Sequence, residues 1–148
     1  MSFRVRMLTV STTAVATAAL LAGCSSTPAG ELKDWWSSGG EGRVKGLSDT
    51  SGRVNDVSMR PMDTWGPACQ ELLTEVAKAK NLATVPSENA QGFWKEALTA
   101  FEHGGDECVA GAGKKDEAQA SAGIREVQTG ISRLSSAVAM IRSDLAAK

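Results

Sequence analysis

Residues 124–145, IREVQTGISRLSSAVAMIRSDL, place Ile124, Val127, Ile131, Leu134, Val138, Ile141 and Leu145 at alternating steps of three and four. That is a strict a/d heptad seam, the pattern of a helix packed lengthwise against other helices. Asp116 and Glu117 favour the start of this helix and Lys148 its end, by complementing the helix dipole. Some thirty residues at 1.5 Å each give a rod of roughly 45–50 Å. Gly123, Gly130 and Ala137 recur every seven residues beside the seam. A glycine inside a helix costs up to about 1 kcal/mol. The stripe therefore reads either as a surface for close approach of a neighbouring helix or as Gly/Ala composition with no packing role.

Two segments upstream carry the same period. Met62, Trp65, Cys69, Leu72, Val76 and Ala79 form one seam, and Trp94, Leu98, Phe101, Gly105, Cys108 and Ala112 form another. Pro67 fits only a first turn, which makes Thr64 the expected N-cap. The second seam runs straight through Gly104-Gly105 and so predicts one helix there, not two. Between the seams, residues 81–91 with Val85-Pro86-Ser87 read as a loop. Trp65 and Trp94 fall on seams and read as core.

Leu32, Trp35, Trp36, Val44, Leu47, Val54 and Val57 give a partial helical face over residues 31–60, weakened by Gly39, Gly40, Gly42, Gly46 and Gly52. The expectation is a first helix interrupted near Gly39-Gly40, ending before the Met59-Arg60-Pro61 break. With no strand-like alternation, the fold class expected is all-α, an up-down four-helix bundle with its first helix interrupted.

The start of the chain has a different character. Arg4 and Arg6 precede the weakly apolar stretch Met7–Ala22, and Leu21-Ala22-Gly23-Cys24 closes it. The Leu-x-Gly-Cys order resembles the lipobox of bacterial lipoprotein export signals. That resemblance implies cleavage before Cys24 and attachment of diacylglycerol to its thiol. Residues 1–23 would be the signal peptide, 24–30 a lipid-anchored tether, and 31–148 the helical domain. The six residues Ser25–Gly30 reach roughly 20 Å when extended. The chain has 16 basic and 17 acidic side chains, and loss of Arg4 and Arg6 leaves 14 against 17, a net of −3. That balance argues against a nucleic-acid partner and against electrostatic adhesion to anionic lipid.

With Cys24 taken by lipid, Cys69 and Cys108 remain as a pair in an oxidising compartment, and both lie on seams. An inter-helix disulfide between them is expected. If residue 69 faces 108 in an antiparallel pair, Val76 faces Phe101, Ala83 faces Trp94, and the turn centres near residues 88–89.

Candidate chemistry is sparse. His103 and Glu107 are i and i+4 and could share a metal, but the chain has one histidine, too few ligands for a zinc or copper site. No nucleophile–base pair stands out, so no catalytic residue, cofactor or metal is expected. Trp35-Trp36 lie just past the tether and are the possible interface with lipid or a membrane protein; on a helix they diverge by about 100°, which also suits one core and one rim residue.

The order of lipobox, short tether and helices carrying Cys69, Trp94 and Cys108 resembles small helical lipoproteins of actinobacteria. It implies a place on the extracytoplasmic face of the membrane and names no catalytic or binding residue. Two functions follow as expectations: a non-enzymatic binding or accessory module for another cell-envelope component, or a carrier of a small molecule or lipid in a bundle cavity beside Gly105.

Overall fold

The computed structural model describes residues 27–147, and the signal segment, Cys24 and Lys148 lie outside it. Its helices are α1 (Pro28–Trp35), α2 (Glu41–Val57), α3 (Trp65–Lys80), α4 (Glu88–Lys114) and α5 (Glu117–Ala146). A π-helical turn, Trp36–Gly40, joins α1 to α2, so the two form one interrupted rod. The all-α bundle of four rods is the expected one, with the interruption where Gly39-Gly40 placed it.

Neighbouring rods run antiparallel. On α3 and α4, Cys69 and Cys108 are joined by a disulfide with a Cα–Cα distance of 6.2 Å. Gly105 lies beneath Leu73 and Gly66 beside Ala112, the same descending register. Val76 and Phe101 are both fully buried, as that register requires. It stops short of Ala83, because α3 ends at Lys80; Ala83 is an exposed loop residue.

The α4–α5 pair shows what the glycine stripe does. Phe101 sits on Gly130, Gly104 on Gly123 and Val127, Cys108 on Gly123, and Gly111 on Ala120. The same register sets Trp94 opposite Ala137, Ala97 opposite Leu134 and Ala90 opposite Ile141, all buried. Each large residue therefore faces a small one, first on one helix and then on the other. A Cβ on Gly123 would lie 2.5 Å from the backbone N of Cys108 and from the carbonyl O of Gly104. The stripe is a close-packing surface, and interior packing leaves no slack to accommodate more.

Helix ends depart from the sequence reading in four places. The tether was expected to run to Gly30, but Pro28, Ala29 and Gly30 form the first turn of α1, with the Thr27 hydroxyl accepting from Gly30 N at 3.2 Å. Loop 81–91 is shorter than expected, because Ser87 caps α4 by accepting from Ala90 N at 3.1 Å. A 3₁₀ turn, Met62–Thr64, precedes α3. Thr64 holds the boundary position, yet its hydroxyl donates to the Pro61 carbonyl at 2.7 Å and caps nothing. Gly104-Gly105 leaves α4 unbroken, as expected.

The α4–α5 connection is two residues long. Lys115 adopts φ 57°, the left-handed region, while Asp116 N donates to Gly111 O at 2.8 Å and Lys115 N to Ala112 O at 3.2 Å. This is a Schellman stop with a lysine where glycine is usual. Asp116 then caps α5, accepting from Gln119 N at 3.0 Å. Lys115→Gly is expected to raise stability by about 1 kcal/mol, by relieving the left-handed strain of a side chain. A higher denaturant midpoint at unchanged slope is the check.

Candidate functional site

The interior holds no unfilled role for a ligand around Gly105, the position from which a carrier cavity was expected. A Cβ there would lie 2.8 Å from Leu73 Cδ2, so the leucine already occupies that volume. Every buried side-chain nitrogen or oxygen among the described residues has a hydrogen-bond partner. The recesses found among the described residues include several grooves open to solvent.

One of them lies between α2 and α5. It measures about 420 Å³ and is lined by Val44, Ser48, Ser51 and Gly52 on one wall and by Ile131, Leu134, Ser135 and Val138 on the other, with Arg142 toward one end. The two rods differ in how they meet. Toward the α2 C-terminus, Asn55 Oδ1 accepts from Gln128 Nε2 at 2.9 Å and ties them together. Further along, α2 presents Ser48, Ser51 and Gly52 to the groove. Ser51 is buried, with its hydroxyl turned back to Ser48 O at 3.3 Å, so it adds polarity without bulk. Ile131 and Val138, both on the predicted α5 seam, are consequently only half-buried, whereas Ile124, Val127, Leu134 and Ile141 are buried. A groove floored by β-branched side chains suits an apolar helix face or chain segment.

Trp35 and Trp36 separate into core and rim. Trp35 is 5% exposed. Its indole N–H donates to the Ala83 carbonyl at 2.7 Å, and its ring meets that of Trp94 edge-on at 5.7 Å. Gly40 makes this possible: a Cβ there would lie 2.3 Å from Trp35 Cζ3. Gly39, at φ 150°, supplies the turn that returns the chain to α2. Trp36 is half-buried, 6.4 Å from Trp35 between ring centroids, and presents part of its ring to solvent. Of the pair, Trp36 is the residue available to a partner.

His103 is exposed, and Glu107 accepts from Gln119 Nε2 at 2.8 Å. Among the described residues no three His, Cys, Asp or Glu side chains gather as metal ligands. The better-covered carboxylate Glu75 is held by Arg43 at 3.4 Å and Lys78 at 2.7 Å. Trp65 is core, with its N–H donating to Arg60 O at 2.9 Å. No described helix is long and apolar enough to cross a membrane.

Comparison with protein-family models, curated proteins and solved structures finds no match to this chain.

Proposed function

We propose that the protein is a lipid-anchored accessory module on the extracytoplasmic face of a bacterial membrane, and that it works by binding and not by catalysis. Leu21-Ala22-Gly23-Cys24 supports the anchor. A diacylglyceryl group holds a protein far more firmly than one acyl chain does. The partner is another envelope component presenting an apolar helix face to the α2–α5 groove. The observation that carries this reading is the half-buried state of Ile131 and Val138, two seam residues of α5 that line an open groove facing α2.

Because α1 begins at Pro28, three residues separate Cys24 from the helix, a reach of about 10 Å. The bundle then stands close to the bilayer, and its partners stand there too. Cys24→Ser is expected to move the protein from the membrane fraction to the soluble extracytoplasmic fraction. A variant still wholly membrane-bound contradicts the anchor. Val138→Asp tests the groove: it is expected to lose a partner retained by the parent while keeping the disulfide and cooperative thermal unfolding. Equal retention by both contradicts the groove as the binding face.

A further inference from the structure

The loop between α3 and α4 is pinned at both ends and unpaired in its middle. Leu82 N donates to Ala79 O at 3.2 Å as α3 ends, and the Ala83 carbonyl accepts from the Trp35 indole N–H at 2.7 Å. At the far end Ser87 caps α4. Between these points stands Val85, 1% exposed, and among the described residues no hydrogen bond reaches its N–H or its carbonyl. A buried backbone pair without partners costs free energy that folded chains avoid. Pro86 follows, which holds Val85 in the extended region. An extended residue turns its N–H and C=O the same way, and one residue of an antiparallel neighbour satisfies both.

Val85 lines a groove of about 340 Å³ between this loop and α4. Ala79, Trp94 and Leu98, all buried, line it too and make its floor apolar. The charged side chains of its lining are Lys80 and Lys95, with no acid among them. Glu102 holds Lys80 at 2.5 Å, whereas Lys95 enters no ion pair among the described residues. A second recess shares Val85 but carries Glu88 and Asp144 on its wall, so the charge contrast keeps a carboxylate on the lysine side.

We propose that this groove binds a short, extended, acidic peptide segment. One residue of the peptide exchanges both backbone hydrogen bonds with Val85. An apolar side chain rests on Trp94 and Leu98, and a carboxylate meets Lys95. Main-chain bonds then supply affinity, and the side-chain contacts supply selectivity. The groove is at the small end of the usual range for ligand sites, about 300–1,000 Å³, which keeps the segment short. This site is separate from the α2–α5 groove and does not depend on the membrane anchor.

The test titrates the isotope-labelled full chain with a capped pentapeptide of alternating leucine and glutamate, read by NMR. The expected result is a shifted Val85 amide signal whose hydrogen exchange slows about tenfold, the worth of one hydrogen bond. The same peptide with lysine in place of glutamate, or with its amides N-methylated, is expected to leave that signal in place. Lys95→Gln should weaken the glutamate peptide about fivefold, the upper end for an exposed charge pair, with thermal unfolding unchanged. Peptide binding that leaves the Val85 amide unmoved overturns the proposal, as does an equal response to the glutamate and lysine peptides. A Val85 signal moved by decanoate and not by the peptide gives the groove to an amphiphile and overturns the peptide assignment. A signal that no probe moves assigns the Val85 pair to water and overturns the site.

Discussion

Gly123→Ala is expected to destabilise the bundle by about 2–3 kcal/mol, although alanine is the better helix former. The new Cβ would meet the Cys108 N and the Gly104 O of α4 at 2.5 Å. Both contacts are backbone, so no side chain can rotate away and the two longest helices must separate. Overpacking of this kind costs about 1–3 kcal/mol or more, while the gain in helix propensity offsets about 1 kcal/mol. Separation also strips contacts from the Phe101–Gly130 and Gly111–Ala120 pairs, which share the register. The combined loss should lower Tm by about 10 °C for a domain of this size. Gly92→Ala is the matched control, since nothing lies within 4 Å of its added Cβ. It should raise stability by up to about 1 kcal/mol. Opposite signs for one chemical change at two helical glycines are the signature of the close α4–α5 interface. A stabilising Gly123→Ala would contradict it.

Loss of the Cys69–Cys108 bridge is expected to be larger still. The bond links residues 39 apart. By the chain-entropy model, closing such a loop contributes about 4 kcal/mol. α3 depends on it more than its neighbours do, because it is the shortest of the rods that cross the core uninterrupted. Both sulfurs are buried, so the paired variant Cys69→Ala with Cys108→Ala is preferable to serine, which would bury new hydroxyls. Denaturant unfolding of that variant should show a midpoint drop matching about 4 kcal/mol. In the parent, a thiol reagent should label neither cysteine until reductant is added. Labelling at Cys69 or Cys108 of the untreated folded protein would contradict the bridge.

The period of α5 made the fold legible, and the reason is physical. A helix that packs along its whole length must repeat its apolar residues at 3.5 to 3.6, and Ile124 to Leu145 do so without a gap. The Cys69–Cys108 register was readable for the same reason, since two seams fix which residues can meet. The matching small-residue stripe on α4, Ala90, Ala97, Gly104 and Gly111, is silent in the sequence, because small residues add nothing to an apolar period. Its meaning appears only when α4 and α5 are set side by side and each gap meets a bulky partner. Ser87, a capping residue type between Pro86 and Glu88, ends the loop four residues sooner than the polar composition of 81–91 predicts. Thr64 shows the converse: a capping residue type whose hydroxyl found a nearer carbonyl in a 3₁₀ turn.

The sites were less legible than the fold. Nothing in Trp35-Trp36 tells which ring turns inward. The choice is made by the Ala83 carbonyl, 48 residues away, and by Gly40 leaving room for the ring. The α2–α5 groove was invisible for a related reason. Ile131 and Val138 sit on a flawless seam, and only the serines and glycine of the facing helix leave them half-covered. A groove is a property of two surfaces, and one periodic sequence describes only its own.

The most direct test of an anchored binding module is photo-crosslinking in living cells from Ser48 and Ser135, one on each wall of the groove, with Thr99 on another face as reference. The expected result is one membrane or envelope protein captured from both groove positions, absent from Thr99, and lost when Val138→Asp is introduced. Capture of the same proteins at all three positions, or of none at the groove, would contradict the assignment of the groove as the working face of the molecule.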